Sequence, residues 1–270
     1  MPDAHWARMG EVRCRTVWIS DVHLGTRECA ADALLEFLDR HPCDYLYLVG
    51  DIVDFWQLRR TPYWPQIHTD VVRTVLSKAR AGTVVTLIPG NHDEYLRRFC
   101  DLQLGNIMIT REAIHRTADG RLLLVLHGDE FDGTNGYRVL VWLADVGYSL
   151  MVTLNRWINF GRRLFGYRYW SLSASLASML ASASSFVAAF EAAVAHEATR
   201  RRVAGVVCGH IHRPALRSVG SVLYCNTGDW VESCTAVLEH FDGRLELVSS
   251  LATAGVTRGA TPAGAATASR

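Results

Sequence analysis

The feature that most constrains this chain is a repeated pattern: a short apolar run, rich in β-branched residues, that stops at a turn made of Asp, Asn or His. Residues 14–20 end at Asp21-Val22-His23-Leu24-Gly25, and residues 45–49 end at Gly50-Asp51-Ile52-Val53-Asp54. Residues 83–88 end at Pro89-Gly90-Asn91-His92-Asp93. Further on, residues 121–126 run into His127-Gly128-Asp129, and residues 203–208 run into Gly209-His210-Ile211-His212. Runs of this length and composition predict strands. Between the first three, residues 30–40 and 67–81 carry apolar residues at helical spacing, which predicts two helices. The alternation is that of an α/β fold, where a ligand site lies off the carboxyl ends of the strands. All the polar turns fall at such ends.

The remainder is organised around this pattern. Residues 215–219, 221–225, 234–240 and 245–249 read as short strands punctuated by Gly220 and Asp242-Gly243, suited to hairpins. They predict an antiparallel or mixed sheet packed on the first. The expected division is a core of residues 12–134 and 201–250, a helical insertion over 135–200, and a disordered tail over 251–270. The insertion is aromatic (Trp142, Trp157, Phe160, Tyr167, Trp170), with Arg156, Arg162, Arg163 and Arg168 interleaved. By default its aromatics form the core of a helical subdomain and its arginines a solvated face. Residues 169–190 carry no charge, yet are so rich in Ser and Ala that a buried or surface-lying helix is expected rather than a membrane span.

Composition removes other classes. At 49% hydrophobic over 270 residues the chain can bury a real core, and a net charge of +1 argues against the nucleic-acid backbone as partner. Seven cysteines with no Cys-x-x-Cys pair point to neither a disulfide framework nor a thiolate zinc site, and so to a reducing compartment. The start of the chain has no apolar core of a secretory signal.

Asp21, His23, Asp51, Asn91, His127, His210 and His212 each lie just past an expected strand. Carboxylates are hard donors and imidazoles suit Mn, Zn, Fe or Ni. Asp-x-His and His-x-His put two side chains on one side of an extended turn. The set is too large for one ion and suits two, with Asp51, after the central strand, as the bridging carboxylate. Two ions about 3.5–4 Å apart clamp the attacking and leaving oxygens at phosphorus and lower the pKa of the attacking water. His92, one residue past Asn91, is not needed as a ligand and is assigned to the leaving group or the phosphoryl oxygens. Asp54 is placed to orient it. Asp129 and Asp229 either support the ligand histidines or cap turns. His41, His68, His115, His196 and His240 have no partner motif and are expected at the surface or its boundary.

In chain order, Asp21-x-His23, Gly50-Asp51-x-x-Asp54, Gly90-Asn91-His92-Asp93, His127 and Gly209-His210-x-His212 resemble the calcineurin-like metallophosphoesterases. The resemblance implies an αββα sandwich, phosphoester hydrolysis and two divalent ions, manganese foremost. By that pattern Asp21, His23, Asp51 and His212 hold one ion, and Asp51, Asn91, His127 and His210 the other. Three further stretches (residues 51–56, 127–132 and 226–233), with the insertion, are similar to the UDP-2,3-diacylglucosamine hydrolases. That group cleaves a diacylated UDP-sugar to UMP and lipid X at the cytoplasmic face of the inner membrane, with the insertion as a cap over the acyl chains. The resemblance extends substrate contact to Asn91 and to the insertion arginines. His92 stands where the best-characterised members carry Arg, which marks a divergent branch. Two other readings remain at this level: a soluble phosphodiesterase or phosphatase of nucleotides and small esters, and a metal-binding scaffold without catalysis.

Overall fold

The computed structural model describes residues 12–131 and 173–250, with side chains in the second span from residue 185 onward. The insertion arginines, most of the insertion and the tail lie outside these residues.

The first strands form where expected: β1 (Cys14–Ile19), β2 (Cys43–Val49) and β3 (Val84–Ile88), with α1 (Ala31–Arg40) between the first two. A short α2 (Phe55–Arg60) precedes α3 (Gln66–Arg80). Helix α2 is not among the expected helices; Asp54 starts it by accepting the Gln57 N–H at 2.7 Å, so the residue expected to orient His92 is also an N-cap. The small strands β4 (Gln103–Leu104), β5 (Ile107–Ile109) and β6 (Ala113–Arg116) follow, each too short for a period to show. Then come β7 (Leu122–Val125), α4 (Ser173–Arg200), β8 (Gly205–Cys208), β9 (Ala215–Val219), β10 (Val222–Asn226), β11 (Thr235–Glu239) and β12 (Leu245–Ser249).

These make two sheets. One has seven strands in the order β12-β11-β1-β2-β3-β5-β4, and the other five in the order β6-β7-β8-β10-β9. The expectation that the C-terminal strands form one sheet of their own is corrected here. The last hairpin, β11–β12, returns to the first sheet and lies antiparallel beside β1. The reason is burial: every residue of β11 is buried, with Ala236 and Leu238 turned to one face and Val237 to the other. Such a strand belongs in a sheet covered on both faces.

Three apolar clusters account for the layers. Between the sheets lie Trp18, Val49, Ile88, Leu123, Val125, Val207 and Val237. On the outer face of the first sheet, Val17, Ile19, Leu46 and Val85 pack on Leu34, Leu38 and Val71 of α1 and α3. On the outer face of the second, Leu124, Val206 and Tyr224 pack on Phe190, Val194 and Ala198 of α4. The order helix, sheet, sheet, helix is the αββα sandwich. No helix among the described residues is long and apolar enough to cross a membrane. The parallel strands β1, β2, β3, β7 and β8 all end on the same side of the sandwich, and the polar turns follow them.

Candidate metal centre

Each proposed donor occupies the first turn after a strand. Asp21 follows β1, Asp51 follows β2, Asn91 follows β3, His127 follows β7 and His210 follows β8. The turns are backbone-strained. Eight non-glycine described residues have φ in the left-handed region, and five of them are Asp21 (51°), His23 (54°), Asp51 (54°), His210 (71°) and His212 (52°). Such residues cost on the order of 1–3 kcal/mol each and persist where surrounding structure fixes them.

That surrounding structure is a mesh of backbone bonds. Asp21 N–H donates to Gly50 O at 3.0 Å, His23 N–H to Asp51 O at 2.9 Å and Leu24 N–H to Ile52 O at 2.9 Å, which zips the first two turns together. Gly209 N–H donates to His127 O at 3.1 Å, and His210 N–H to Asp21 Oδ2 at 2.9 Å, which ties the second sheet to the first. A Cβ at Gly209 would overlap the side chains of Ser20 and Asp21, and one at Gly50 (φ 79°) would overlap the His127 ring. The close approach therefore requires glycine at both.

The donor atoms fall into groups. Single donor atoms of Asp21, His23 and His212 lie within 4.8 Å of one another, and so do those of Asp51, His127 and His210. Asn91 is buried too, and its chain neighbour Gly90 abuts Asp51 and the His127 ring. A third group, His23, Asp54 and His92, meets the same spacing. Its chemistry differs. Asp54 Oδ2 lies 3.2 Å from His23 Nδ1 and 2.8 Å from His92 Nδ1, and a carboxylate can only accept, so both imidazoles donate to it. That group is a hydrogen-bonded bracket between the imidazoles, not an open set of lone pairs.

Orphaned atoms test whether the first two groups fit divalent ions. Five buried side-chain polar atoms among the described residues have no hydrogen-bond partner: two are the indole nitrogens of Trp18 and Trp230, and three are Asp21 Oδ1, His23 Nε2 and His127 Nε2. Asp21 Oδ1 faces His212 Nε2 at 3.3 Å and His127 Nε2 faces Asp51 Oδ2 at 3.3 Å without a hydrogen bond, and His23 Nε2 has none either. Buried polar atoms are nearly always satisfied, so these facing atoms suit a shared cation. The tautomers agree. His127 Nδ1–H donates to Val49 O at 2.9 Å and His23 Nδ1–H to Asp54, which leaves the Nε2 lone pair of each as the donor. The residues fit the ions.

The electrostatics are those of a cation site. Burial pushes the Asp21 carboxyl upward, yet His212 and His127 outweigh it and hold the group down at about 2. Asp51 also falls below the usual carboxylate range, against its burial, because of His127, His23 and His92. The same carboxylates lift the imidazoles despite burial: His127 to about 10 through Asp51 and Asp21, and His212 to about 9 through Asp21 and Asp229.

Several contributors were not legible as such in the sequence. Asp93, fully buried, accepts Gly90 N–H at 2.6 Å on one oxygen and Ile52 N–H at 2.8 Å on the other, and so binds the Asn91 turn to the Asp51 turn. Asn226 Nδ2 donates to Gly209 O at 2.7 Å and holds the His210 turn from behind. Asp229 caps its turn and lies near His212 as a charge, without a hydrogen bond to it. Its Oδ1 accepts Val231 N–H at 2.8 Å, and its Oδ2 stands 3.8 Å from His212 Nδ1. Asp129 instead pairs with Arg97 through both oxygens, at 2.7 and 2.8 Å. Two histidines expected near the surface are buried. His68 accepts Gly25 N–H at 3.1 Å, and His115 contacts Glu239 at 2.9 Å between the sheets.

Residues 14–214 match the family model described as calcineurin-like phosphoesterase. UDP-2,3-diacylglucosamine hydrolase of Salmonella schwarzengrund (strain CVM19633) is 28% identical over 216 residues, covering 76% of this chain and 85% of that protein. The protein of the same name from Salmonella agona (strain SL483) is 28% identical over 214 residues, covering 76% and 84%. Among solved structures, a phosphoesterase from E. coli aligns with a TM-score of 0.43 at 14% identity, over 87% of this chain and 98% of that one. With the family model spanning both groups of donors, the chain belongs to the calcineurin-like phosphoesterase family and is a metal-dependent hydrolase of phosphoesters.

Proposed function

We propose that this chain hydrolyses the pyrophosphate of UDP-2,3-diacylglucosamine, releasing UMP and lipid X, and that it works at the cytoplasmic face of the inner membrane. The observation that carries the reaction is the pair of neighbouring donor groups with orphaned Asp21 Oδ1, His23 Nε2 and His127 Nε2. The similarity to the Salmonella hydrolases supports the substrate.

In this reading Asp21, His23, Asp51 and His212 hold one divalent ion, and Asp51, Asn91, His127 and His210 the other. Manganese suits the set; zinc, iron and nickel take the same donors. The ions supply Lewis acidity at phosphorus and a nucleophile at neutral pH. Asn91 also contacts the phosphoryl group. His92 delivers a proton to the leaving group, and Asp54 holds its ring by Nδ1 at 2.8 Å so that Nε2 is the working atom. His92 lies between the rings of Trp56 and His23, with centroids 4.4 and 4.7 Å away, which restricts its rotation. The cap is supplied by the part of the insertion that precedes Phe190, because Phe190, Val194 and Ala198 belong to the core layer on the second sheet, which corrects the expected insertion boundary at residue 200. Arg156, Arg162, Arg163 and Arg168 serve phosphates or anionic head groups in this reading.

His92 itself favours a second reading, a phosphodiesterase or phosphatase of nucleotides and small esters, because the position carries an imidazole and not a guanidinium. The deciding experiment is a hydrolysis screen with Mn²⁺ over UDP-sugars with and without acyl chains. Release of UMP from UDP-diacylglucosamine, with no turnover of simple nucleotides, is the expected result. The opposite profile establishes the second reading.

A further inference from the structure

The buried His68 belongs to no motif, yet it touches the strained turn that carries Asp21 and His23. It sits in the first turn of α3, and its Nδ1 accepts the Gly25 N–H at 3.1 Å. Only the form with a lone pair on Nδ1 can do this, so the bond fixes the ring's tautomer. Tyr63 and Trp64 enclose the imidazole edge-on, with ring centroids at 5.8 and 5.5 Å. Trp64 is itself held by its indole N–H on Thr69 Oγ1 at 3.0 Å, and Arg27 lies 4.6 Å over the Tyr63 ring. The acceptor is thus built on a rigid element and boxed in place.

What it holds is the exit of the Asp21–Gly25 turn. Three residues of that turn, Asp21, His23 and Gly25, have positive φ (51°, 54° and 107°). The turn's other flank is secured by the second strand's loop, through His23 N–H to Asp51 O, Leu24 N–H to Ile52 O and Asp54 N–H to Leu24 O at 2.8 Å. Gly25 is pressed against Leu58 of α2, where a Cβ would lie 2.7 Å from Leu58 Cγ. The exit of the turn is closed by His68 on Gly25 together with Thr26, whose N–H and Oγ1–H donate to His23 O at 3.1 and 2.9 Å. Without the acceptor on His68, a buried N–H loses its partner and the left-handed turn can relax toward ordinary backbone angles. His23 moves with that relaxation, and His23 both belongs to the first donor group and shares Asp54 with His92.

We infer that His68 is a positioning residue: through the Gly25 N–H it aims His23 at the first of the two divalent ions. The inference rests on the two-ion reading of the site given above. Groups that orient metal ligands in this indirect way typically change affinity or activity by about 10- to 100-fold when removed.

The test uses three variants of the full chain, with Mn²⁺ binding by calorimetry beside UMP release. His68→Asn keeps an acceptor at the position of Nδ1. His68→Gln moves it to the position of Nε2. His68→Phe keeps the ring and removes the acceptor. His68→Asn is expected to bind two Mn²⁺ within about threefold of the parent affinities. His68→Gln and His68→Phe are expected to weaken one of the two binding steps by about 10- to 100-fold, to leave the other within about threefold, and to lower kcat more than they raise KM. Should His68→Phe fail to fold, the contrast between Asn and Gln decides alone. Parent-like metal binding in His68→Gln, or equal losses in Asn and Gln, overturns the inference. A parent chain that binds no Mn²⁺ overturns instead the reading on which it rests.

Discussion

At the level of single residues, the site is held together by side chains that satisfy more than one partner. Asp54 is the clearest case: Oδ1 caps α2 through Gln57 N–H, and Oδ2 accepts from both His23 and His92. Burial alone would raise its carboxyl, but the bonds from His23, His92 and Gln57 hold it below the usual range. Asp54→Asn leaves one accepting oxygen for three N–H donors, so either the Gln57 cap is lost or an imidazole must turn. Turnover is expected to fall roughly 10- to 100-fold with two ions still bound, as read by steady-state kinetics beside metal analysis. His92→Ala separates the two roles the spacing allows. As the proton donor, its loss lowers kcat by about 10²- to 10⁴-fold while metal content stays at two per chain. A chain that loses an ion instead makes His92 a ligand, through the group it forms with His23 and Asp54. The donor residues were legible in the sequence because each follows an apolar run directly, and a strand end is a local signal. His68 was not, because its partner, Gly25, lies 43 positions away in sequence and is a backbone group.

At the level of elements, the turns are aligned by one another more than by their strands. Asp93 shows how. Its two oxygens receive Gly90 and Asp51 N–H on one side, at 2.6 and 3.3 Å, and Ile52 and Val53 N–H on the other, at 2.8 and 3.4 Å. Asp93→Asn replaces one accepting oxygen by a donor that faces two N–H groups. Leaving buried donors unpaired costs about 1–3 kcal/mol. The variant is therefore expected to melt at lower temperature than the parent, and to bind Mn²⁺ more weakly at the group of Asp51, His127 and His210. An unchanged melting temperature would show that water or a shifted loop replaces the lost acceptor. The strands β1, β2 and β3 and the helices α1 and α3 were legible from composition and period, whereas α2, at 6 residues, is too short for a helical period to show. The placement of β11 and β12 in the first sheet was not legible either. Alternation shows which residues share a face, and says nothing of which sheet a strand joins. That choice was made by the burial of both faces of β11.

At the level of the whole molecule, the two sheets meet at opposite ends through different chemistry. At one end are the donor turns. At the other, the side chain of Glu239 on β11 is shut away from solvent, receiving Arg15 at 2.7 Å, Thr16 Oγ1–H at 2.6 Å, Ala118 N–H at 2.6 Å and His115 Nε2 at 2.9 Å. His115 comes from β6 of the second sheet and its Nδ1 lies 3.1 Å from Tyr47 OH on the first, so the carboxylate closes a polar bridge across the sandwich. Burial pushes Glu239 up, but the bonds from His115, Thr16, Ala118 and Arg15 outweigh it and hold the carboxyl at about 2. The folded state thus binds this proton less readily than the unfolded chain, where a glutamate titrates near 4.3. The resulting stability is fully present above the unfolded value and disappears as pH falls from there through about 2. A difference of this size corresponds to about 2–3 kcal/mol at neutral pH. Glu239→Gln removes the titrating group and the charge on which Arg15 and His115 converge. Urea unfolding of the metal-free chain, followed from pH 7 down to pH 3.5, is expected to show the parent losing stability through the acidic arm more steeply than the variant. The two curves approach each other as the proton arrives. Curves that stay parallel would place the acid sensitivity elsewhere, in the carboxylates of the donor turns, and would leave Glu239 a packing residue of the sheet interface.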